Sequence, residues 1–248
     1  TEQVYLFCSN IIKNINVFVL KEVLPVFNSA VSIDCVLFGF DNGELKILLI
    51  ERNEEPFKDW WALPGNLVGE NESVEQSASR ILHELTGLSD IYMEQYYTFG
   101  EVNRHPQGRV ITVAYYAMLR LGGDKALKPL TSYAKKAQWI NVKELPKLGF
   151  DHQHIFDKGL EKIKRRIKHL PIAFELLPEK FTLTQVQNVY ELILGKKLDK
   201  RNFRKKILSF GVLKELNEKQ KGVSFRAATL YKFDRRKYAK LFGKEISF

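Results

Sequence analysis

Cysteine is scarce in this chain, with only Cys8 and Cys35 among 248 residues. Two thiols are too few for a disulfide framework or for a cysteine-based zinc site. Long apolar runs are also missing: Lys13, Lys21 and Glu22 interrupt the first apolar stretch, and no segment approaches the roughly 20 apolar residues that cross a bilayer. The N-terminal stretch has no convincing secretory signal. We therefore expect a protein of the reducing cytoplasm that has no contact with a membrane.

Acidic residues become scarce in the second half of the chain. Residues 1–150 contain 15 Lys/Arg and 18 Asp/Glu, a net charge of −3, whereas residues 151–248 contain 24 and 11, a net charge of +13; the two halves together give the formal +10. A basic half beside a mildly acidic half indicates one module for a polyanion and another with a different task. We place the domains at residues 1–149 and 150–248. A solubilising basic tail is the alternative, but apolar periodicity in this half favours a folded module for nucleic acid.

The first domain alternates strand and helix patterns, which predicts an α+β fold. Ser32–Phe38 and Leu45–Ile50 have the pattern of a β-hairpin. Ser73 and Gln76 stand at capping-box spacing before an amphipathic helix, and Gly87 is expected to end it. Further strands are predicted at residues 96–99, 110–119 and 137–142, and a further amphipathic helix at residues 154–170.

A longer motif runs from Asn66 to Leu88 and follows the lead-in Trp61-Ala62-Leu63-Pro64-Gly65. This stretch resembles the signature of Nudix hydrolases, which consists of Gly, five residues, Glu, seven residues, Arg-Glu, an aliphatic, any residue, Glu-Glu, any residue, Gly and an aliphatic. The residues that match are Glu72, Arg80, Glu84 and Gly87. The resemblance implies a Nudix-like α/β/α sandwich in the first domain.

Two carboxylates of this signature are missing. In the family, three carboxylates at helical spacings of i, i+3 and i+4 lie on one face and hold Mg²⁺ against a diphosphate. Here these positions are Ile81, Glu84 and Leu85, and the leading glycine is Asn66. Glu84 alone should bind Mg²⁺ weakly, so we expect no catalytic residue, no metal site and no cofactor. The alternative is an active Mg²⁺-dependent hydrolase of nucleoside diphosphate derivatives with a basic accessory domain.

The second domain has the pattern of a winged helix-turn-helix. Thr184 and Gln187 stand at capping-box spacing before a helix that Gly195 is expected to end. Asp199 is the expected N-cap of a basic second helix, residues 200–208. Two strands are predicted at residues 211–216 and 224–233, with a polar wing tip at residues 217–222. A solvated basic helix is the alternative, and an RNA-binding or scaffold protein is a third possibility.

The second helix carries side chains that suit the major groove of DNA. Arginine can bridge guanine O6 and N7, asparagine can pair with adenine, and lysines of the wing can meet phosphate. Phe203, Ile207 and Phe210 share the opposite, inward face. The predicted DNA-binding residues are Thr184, Gln185, Lys200, Arg201, Asn202, Arg204, Lys205, Ser209, Lys219 and Lys221.

A degenerate Nudix domain followed by a basic winged helix is similar to the Nudix-related transcriptional regulators. The segments that carry this resemblance are Pro171–Pro178, Phe181–Thr184, Tyr190-Glu191 and Asp199–Lys206. The resemblance implies a homodimer on a palindromic double-stranded DNA operator. It also implies a small-molecule effector in the first domain, which is ADP-ribose in one branch of the family and a pentose such as arabinose in another.

The sequence leaves the effector open. A diphosphate requires cations, whereas a sugar favours acidic or amide side chains and an aromatic face. The predicted effector-binding residues cover both cases: Arg52, Trp60, Arg80, Glu84, Glu101, Arg104 and Arg109. For Arg80 the alternative is a structural one, in which it braces the loop through a buried ion pair.

Overall fold

The computed structural model describes residues 29–41, 43–121, 127–170, 172–222 and 227–242. Cys8, the first 28 residues of the predicted first domain and the start of the predicted second wing strand lie outside these ranges. Cys35 is a buried free thiol. No helix in the described ranges combines the length and apolar character needed to span a membrane.

The first domain is built on a mixed sheet of seven strands. They are β1 (Ala30–Asp41), β2 (Glu44–Arg52), β3 (Trp61–Ala62), β4 (Gly65–Leu67), β5 (Glu94–Phe99), β6 (Val110–Arg120) and β7 (Ala134–Asn141). The order is β3-β2-β1-β6-β5, with β4 paired to β1 and β7 paired to β2. Strands β1 and β6 are parallel, and the β1–β2 hairpin predicted from the sequence is confirmed.

Helices cover both faces of this sheet, which confirms the α/β/α sandwich. Helix α1 (Val74–Thr86) has the predicted capping box between Ser73 and Gln76, and it ends at Gly87 with φ of 77°. It packs on the face that carries the odd-numbered β1 residues from 33 to 37. Helix α2 (His152–Arg166) covers the other face, beside Val36 and Phe38. Side chains alternate across β1, so each face supplies one core.

The second domain is the predicted winged helix. It contains β8 (Lys180–Phe181), α3 (Leu183–Leu194), α4 (Lys200–Ser209), β9 (Leu213–Lys219), β10 (Thr229–Phe233) and α5 (Arg235–Phe242). The small sheet has the order β8-β10-β9. Strand β9 runs to Lys219 because Lys219 pairs with Thr229, so the first part of the predicted wing tip belongs to the strand. Helix α5 was not predicted from the sequence.

The predicted cap of α3 is wrong by two residues. Thr182, not Thr184, is the N-cap, and its Oγ1 accepts a hydrogen bond from Gln185 N at 3.2 Å. The Gln185 side chain completes the capping box by accepting from Thr182 N at 2.8 Å. Both spacings fit the capping-box pattern, but the helix already begins at Leu183. Gln187 is free to serve the turn that follows α3.

A shared hydrophobic core joins the two domains. Ile163 of α2 belongs to one buried cluster with Val186, Val189 and Ile193 of α3. Helix α2 therefore contacts the sheet of the first domain as well as the winged helix. The boundary at residues 149 and 150 stays a prediction.

Candidate functional site

A cleft of about 620 Å³ opens where β1 and β6 begin and β2 ends. This volume lies in the range of small-molecule sites. Strands β1 and β6 run in parallel, so their first residues bring Ser32, Asp34 and Thr112 together on the floor. The loop at residues 104–109 and Phe150 form further parts of the wall.

Three of the predicted effector-binding arginines line the cleft: Arg52, Arg104 and Arg109. Arg52 Nε donates to the carbonyl oxygen of Pro56 at 2.9 Å, and its guanidinium lies 4.9 Å from the centre of the Phe150 ring. Arg109 Nη1 donates to the carbonyl oxygen of Gly100 at 2.6 Å. Backbone carbonyls thus hold two cations in place without neutralising them.

Arg104 is held much more tightly than the other two. Its side chain is 4% exposed, and its Nε and Nη2 donate to the two carboxylate oxygens of Asp151 at 2.9 and 2.6 Å. Its Nη1 donates to Thr112 Oγ1, and its Nη2 lies 3.9 Å from Asp34 Oδ2. A buried guanidinium requires such compensation because desolvation of the charge is costly.

Asp34 and His152 form a buried pair behind Arg104. Leu63 N donates to His152 Nδ1 at 2.9 Å, so the proton of the neutral ring is on Nε2, which faces Asp34 Oδ1 at 3.3 Å. Burial raises the pKa of Asp34 to about 7, against the opposite effect of Arg104. Burial, together with the nearby charges of Arg104 and Arg52, lowers the pKa of His152 to about 3. His152 is therefore neutral at physiological pH.

The substitution Asp34→Asn is expected to remove a pH dependence of stability. The pKa of Asp34 is about 7 in the folded chain against an ordinary 3.8, so the folded chain binds the proton more tightly and stability falls as pH rises between these values. At about 1.4 kcal/mol per pKa unit, the effect amounts to a few kcal/mol. Urea unfolding at about pH 5 and pH 8 should show a smaller change for the variant than for the wild type. Equal changes in both proteins would contradict the assignment.

The lead-in motif brings a backbone turn against Asp34. Cys35 N donates to the carbonyl oxygen of Pro64 at 2.8 Å, and a Cβ at Gly65 would lie 2.0 Å from Asp34 Oδ1. A glycine is therefore required at this position of the Trp-x-Leu-Pro-Gly sequence. The motif shapes the floor of the cleft.

The retained polar residues of the Nudix motif bind one another instead of lining the cleft. Arg80 donates to both carboxylate oxygens of Glu72, to Glu84 Oε2 at 3.0 Å and to the carbonyl oxygen of Leu67 at 3.3 Å. The hydrogen bonds from Arg80 lower the pKa of Glu72 to about 2. Arg80 therefore braces the loop, but through partly exposed ion pairs and not through the buried one of the structural alternative. Ile81 and Leu85 are at most 1% exposed and belong to the core under α1.

Four of the predicted effector-binding residues have no place in the cleft lining. Arg80 and Glu84 are paired with each other as described above. Trp60 packs edge-on against Phe57 at 5.4 Å between ring centres, with Lys147 Nζ 4.8 Å above its ring, and Glu101 lies in an exposed loop. We leave Trp60, Arg80, Glu84 and Glu101 out of the proposed site.

Sequence reasoning missed several cleft residues, namely Ser32, Asp34, Thr112, Phe150 and His152. They are separated by up to 120 positions and share no motif. Phe150 has φ of 53°, which is rare for a residue with a side chain, and it stacks between His105 at 5.0 Å and His152 at 5.1 Å. Only the fold brings these residues together.

The second helix of the helix-turn-helix, α4, presents the predicted polar face. Asp199 caps it by accepting from Asn202 N at 2.8 Å, as predicted. Phe203 and Ile207 are buried, and the Phe203 ring packs edge-on against Tyr190 of α3 at 5.2 Å. Arg204 is half-buried. The exposed predicted residues of α4 are Lys200, Arg201, Asn202, Lys205 and Ser209.

The carboxylate of Glu191, whose side chain is 10% exposed, holds the turn between α3 and α4. Glu191 accepts hydrogen bonds from Gln187 Nε2 and Leu198 N, both at 2.9 Å, and from Lys197 Nζ at 2.8 Å. Gln187 Nε2 also donates to the carbonyl oxygen of Leu198 at 2.9 Å. These bonds lower the pKa of Glu191 to about 2. Glu191 therefore links the last turn of α3 to Leu198, the residue before the cap of α4.

In and next to the wing, some lysines form ion pairs with glutamates and others are exposed without such a pair among the described residues. Lys180 pairs with Glu218 at 2.7 Å, and Lys232 pairs with Glu179. Lys219 and Lys221 are exposed, and neither forms an ion pair within the part of the chain that the structure describes. Thr184 is exposed near the start of α3, whereas Gln185 serves the cap. Within the described residues, the wing thus carries two exposed lysines whose charge no ion pair compensates.

Known proteins match both domains. The NUDIX domain matches residues 28–159, and the NrtR DNA-binding winged helix domain matches residues 173–233. The ADPR responsive transcriptional repressor NtrR of Acinetobacter baylyi is 34% identical over 206 residues, which are 82% of this chain and 81% of that protein. The crystal structure of Shewanella oneidensis NrtR complexed with a 27mer DNA is 30% identical, has a TM-score of 0.69 and covers 84% of this chain and 95% of its own.

A solved structure with a ligand resembles the first domain alone. The NUDIX domain of Shewanella oneidensis NrtR complexed with ADP ribose is 31% identical, with a TM-score of 0.50, and it covers 54% of this chain and 88% of its own. Both domains are thus matched in the order in which they occur here. The chain belongs to the Nudix-related transcriptional regulators, in which a NUDIX domain precedes an NrtR DNA-binding winged helix domain.

Proposed function

We propose that this chain is a cytoplasmic transcriptional repressor that binds operator DNA through α4 and the wing and that responds to ADP-ribose in the cleft. The relative from Acinetobacter baylyi is an ADPR responsive repressor, and the related NUDIX domain from Shewanella oneidensis was solved with ADP ribose. The observation that carries the proposal is the cleft itself, which is lined by Arg52, Arg104 and Arg109.

The lining favours ADP-ribose over a free pentose. Guanidinium groups bind phosphate oxygens through strong, charge-assisted hydrogen bonds, and a pentose has no charge to offer them. Glu84 and Glu101, which would have suited sugar hydroxyls, do not line the cleft. Glu54 and Glu55 do line it, and they can bind the hydroxyls of a ribose that is attached to a diphosphate. The aromatic ring of Tyr133 is available in the wall for a base.

The site is proposed to sense its ligand without cleaving it. The residues at the metal-binding positions of the motif do not fit Mg²⁺, because Ile81 and Leu85 are buried aliphatic side chains and Glu84 is engaged by Arg80. Among the described residues, no group of three or more His, Cys, Asp or Glu is placed to hold a metal ion. Activation of water and neutralisation of a diphosphate by a metal therefore lack support in this chain.

The repressor is proposed to act as a homodimer on a palindromic operator. Each chain contributes one recognition helix, and a two-fold axis would place two such helices on half-sites one helical turn apart. Light scattering of the free protein and selection from a random duplex library test this part of the proposal. A dimer and a recovered palindrome are expected, whereas a monomer that selects no duplex motif would favour the RNA-binding or scaffold alternative.

Removal of Arg52 is expected to weaken ADP-ribose binding at least about tenfold. A hydrogen bond to a charged group contributes about 1.5–3 kcal/mol, and Arg52 is already oriented by Pro56 and Phe150. Titration calorimetry with ADP-ribose compares the wild type, Arg52→Ala and the control Arg165→Ala, which removes an arginine that is 67% exposed on α2. The control should bind like the wild type.

Two outcomes would contradict this function. Binding of arabinose but not ADP-ribose would place the protein in the sugar-responsive branch. Mg²⁺-dependent cleavage of ADP-ribose at an enzymatic rate, abolished by Glu84→Gln, would establish the hydrolase alternative.

A further inference from the structure

Helix α2 is the element that connects the cleft with the winged helix. Its first residue, His152, lies in the cleft wall, and the preceding residue, Asp151, binds Arg104 behind that wall. Farther along, Ile163 packs in the same buried cluster as Val186 and Val189 of α3. A displacement of α2 at the cleft would therefore be transmitted to the helix-turn-helix through this shared cluster.

Asp151 stands at the N-cap position of α2 but does not cap the helix with its side chain. Helix N-termini leave backbone N–H groups that an aspartate at this position ordinarily accepts. Here both carboxylate oxygens are instead occupied by Arg104 Nε and Nη2, at 2.9 and 2.6 Å. The carboxylate therefore has two alternative sets of donors, Arg104 and the first amides of its own helix.

We propose that Asp151 is the positioning residue that couples occupancy of the cleft to the affinity for DNA. The inference rests on the proposed function, since it takes ADP-ribose as the ligand. A phosphate oxygen in the cleft competes with Asp151 for the donors of Arg104, which lines the cleft. Once released, the Asp151 carboxylate accepts from the amides of Gln153 and His154 and completes the first turn of α2.

The far end of α2 gives this change a direction. Arg166 in the last turn binds Glu94 of β5 and Tyr116 of β6, so this end is tied to the sheet. Tyr96 OH donates to the carbonyl oxygen of Ile155 at 2.7 Å, which ties the fourth residue of the helix to β5. A change at the capping residue therefore acts on the start of α2 against these two ties, and Ile155 and Phe156 at this start belong to the same buried cluster as Val186 of α3. Two arrangements of one rigid element are what coupling between distant sites requires.

The test is a thermodynamic cycle with the full chain. Anisotropy of the labelled duplex recovered by selection gives the Kd for DNA without and with saturating ADP-ribose, and calorimetry gives the Kd for ADP-ribose alone. For the wild type, ADP-ribose should change the DNA Kd by about 5–150-fold. Asp151→Asn removes the charge that holds Arg104 but keeps a capping oxygen. Its DNA Kd without ligand should equal that of the ligand-bound wild type, and ADP-ribose should change it less than about twofold.

A matched control lies on the same helix. Asp157 is exposed and accepts from Gln153 Nε2 at 3.1 Å, away from the cleft, so Asp157→Asn should keep the full coupling of the wild type. Wild-type coupling in Asp151→Asn, with ADP-ribose still bound, would overturn the inference while leaving the proposed function intact. Absence of any ADP-ribose effect in the wild type would overturn the proposed function and this inference with it.

Hydrogen exchange on the wild type provides a measurement that does not depend on the folding of a variant. If Asp151 caps α2 when the ligand is bound, the amides of Gln153 and His154 should exchange more slowly with ADP-ribose than without it. Those of the last turn, around Arg166, should be unaffected. Unchanged exchange in the first turn under saturating ADP-ribose would overturn the inference.

Discussion

Replacement of Arg104 by alanine is expected to lower the free energy of unfolding by about 3–5 kcal/mol near neutral pH. The Arg104 side chain is 4% exposed and donates two hydrogen bonds to Asp151, with Asp34 nearby at 3.9 Å. Its removal leaves two carboxylates together without the guanidinium that hydrogen-bonds Asp151, and Asp151 already raises the pKa of Asp34. Urea unfolding monitored by tryptophan fluorescence measures the loss.

Arg109 is the matched control for this loss of free energy of unfolding. Arg109 also lines the cleft, but its hydrogen bond goes to the carbonyl oxygen of Gly100 in an exposed setting. Arg109→Ala should therefore cost no more than about 1 kcal/mol. Similar losses for the two variants would show that the buried network around Arg104 does not hold the floor of the cleft together.

Replacement of Arg201 by alanine is expected to weaken binding to the selected duplex by about 5–150-fold, since one bidentate contact to a base contributes about 1–3 kcal/mol. Arg201 lies exposed in the first turn of α4, whose orientation is set by the Asp199 cap and by Glu191. The variant should also accept a wider set of bases when selection from a random library is repeated. Binding to an unrelated duplex should change little.

Lys221 of the wing is the control for Arg201. Lys221→Ala should weaken binding to all duplexes by a similar factor and reduce the slope of log K against log salt by about 1, because a phosphate contact carries no sequence information. Indifference of sequence-specific binding to Arg201→Ala would contradict the docking of α4 in the major groove. Loss of base preference in Lys221→Ala would assign base recognition to the wing.

The order of elements could be predicted from the sequence because local signals agree with the fold. Ser73, Gln76 and Gly87 delimit α1, and Asp199 marks the start of α4. The predicted cap of α3 is wrong because Thr182 and Thr184 are both followed by glutamine three residues later, so the capping-box spacing alone does not distinguish them. Helix α5 was not predicted because it has only 8 residues and is strongly basic, so its apolar pattern is too short to indicate a helix.

The candidate site could be predicted only in part. The charges of Arg52, Arg104 and Arg109 pointed to an anion site, and all three line the cleft. The sequence does not show which of the three arginines is already paired with a carboxylate, because Arg104 is neutralised by Asp151, which lies 47 positions away. The floor of the cleft depends on the parallel pairing of β1 with β6, which places Ser32 beside Thr112, and no local pattern records this contact.

The most direct test of the account is the affinity of the wild-type chain for its selected duplex, measured by anisotropy while ADP-ribose is titrated in. The account predicts that the DNA Kd changes at least about fivefold with ADP-ribose and does not change with arabinose at the same concentration. A DNA Kd that is the same at zero and at saturating ADP-ribose would contradict it.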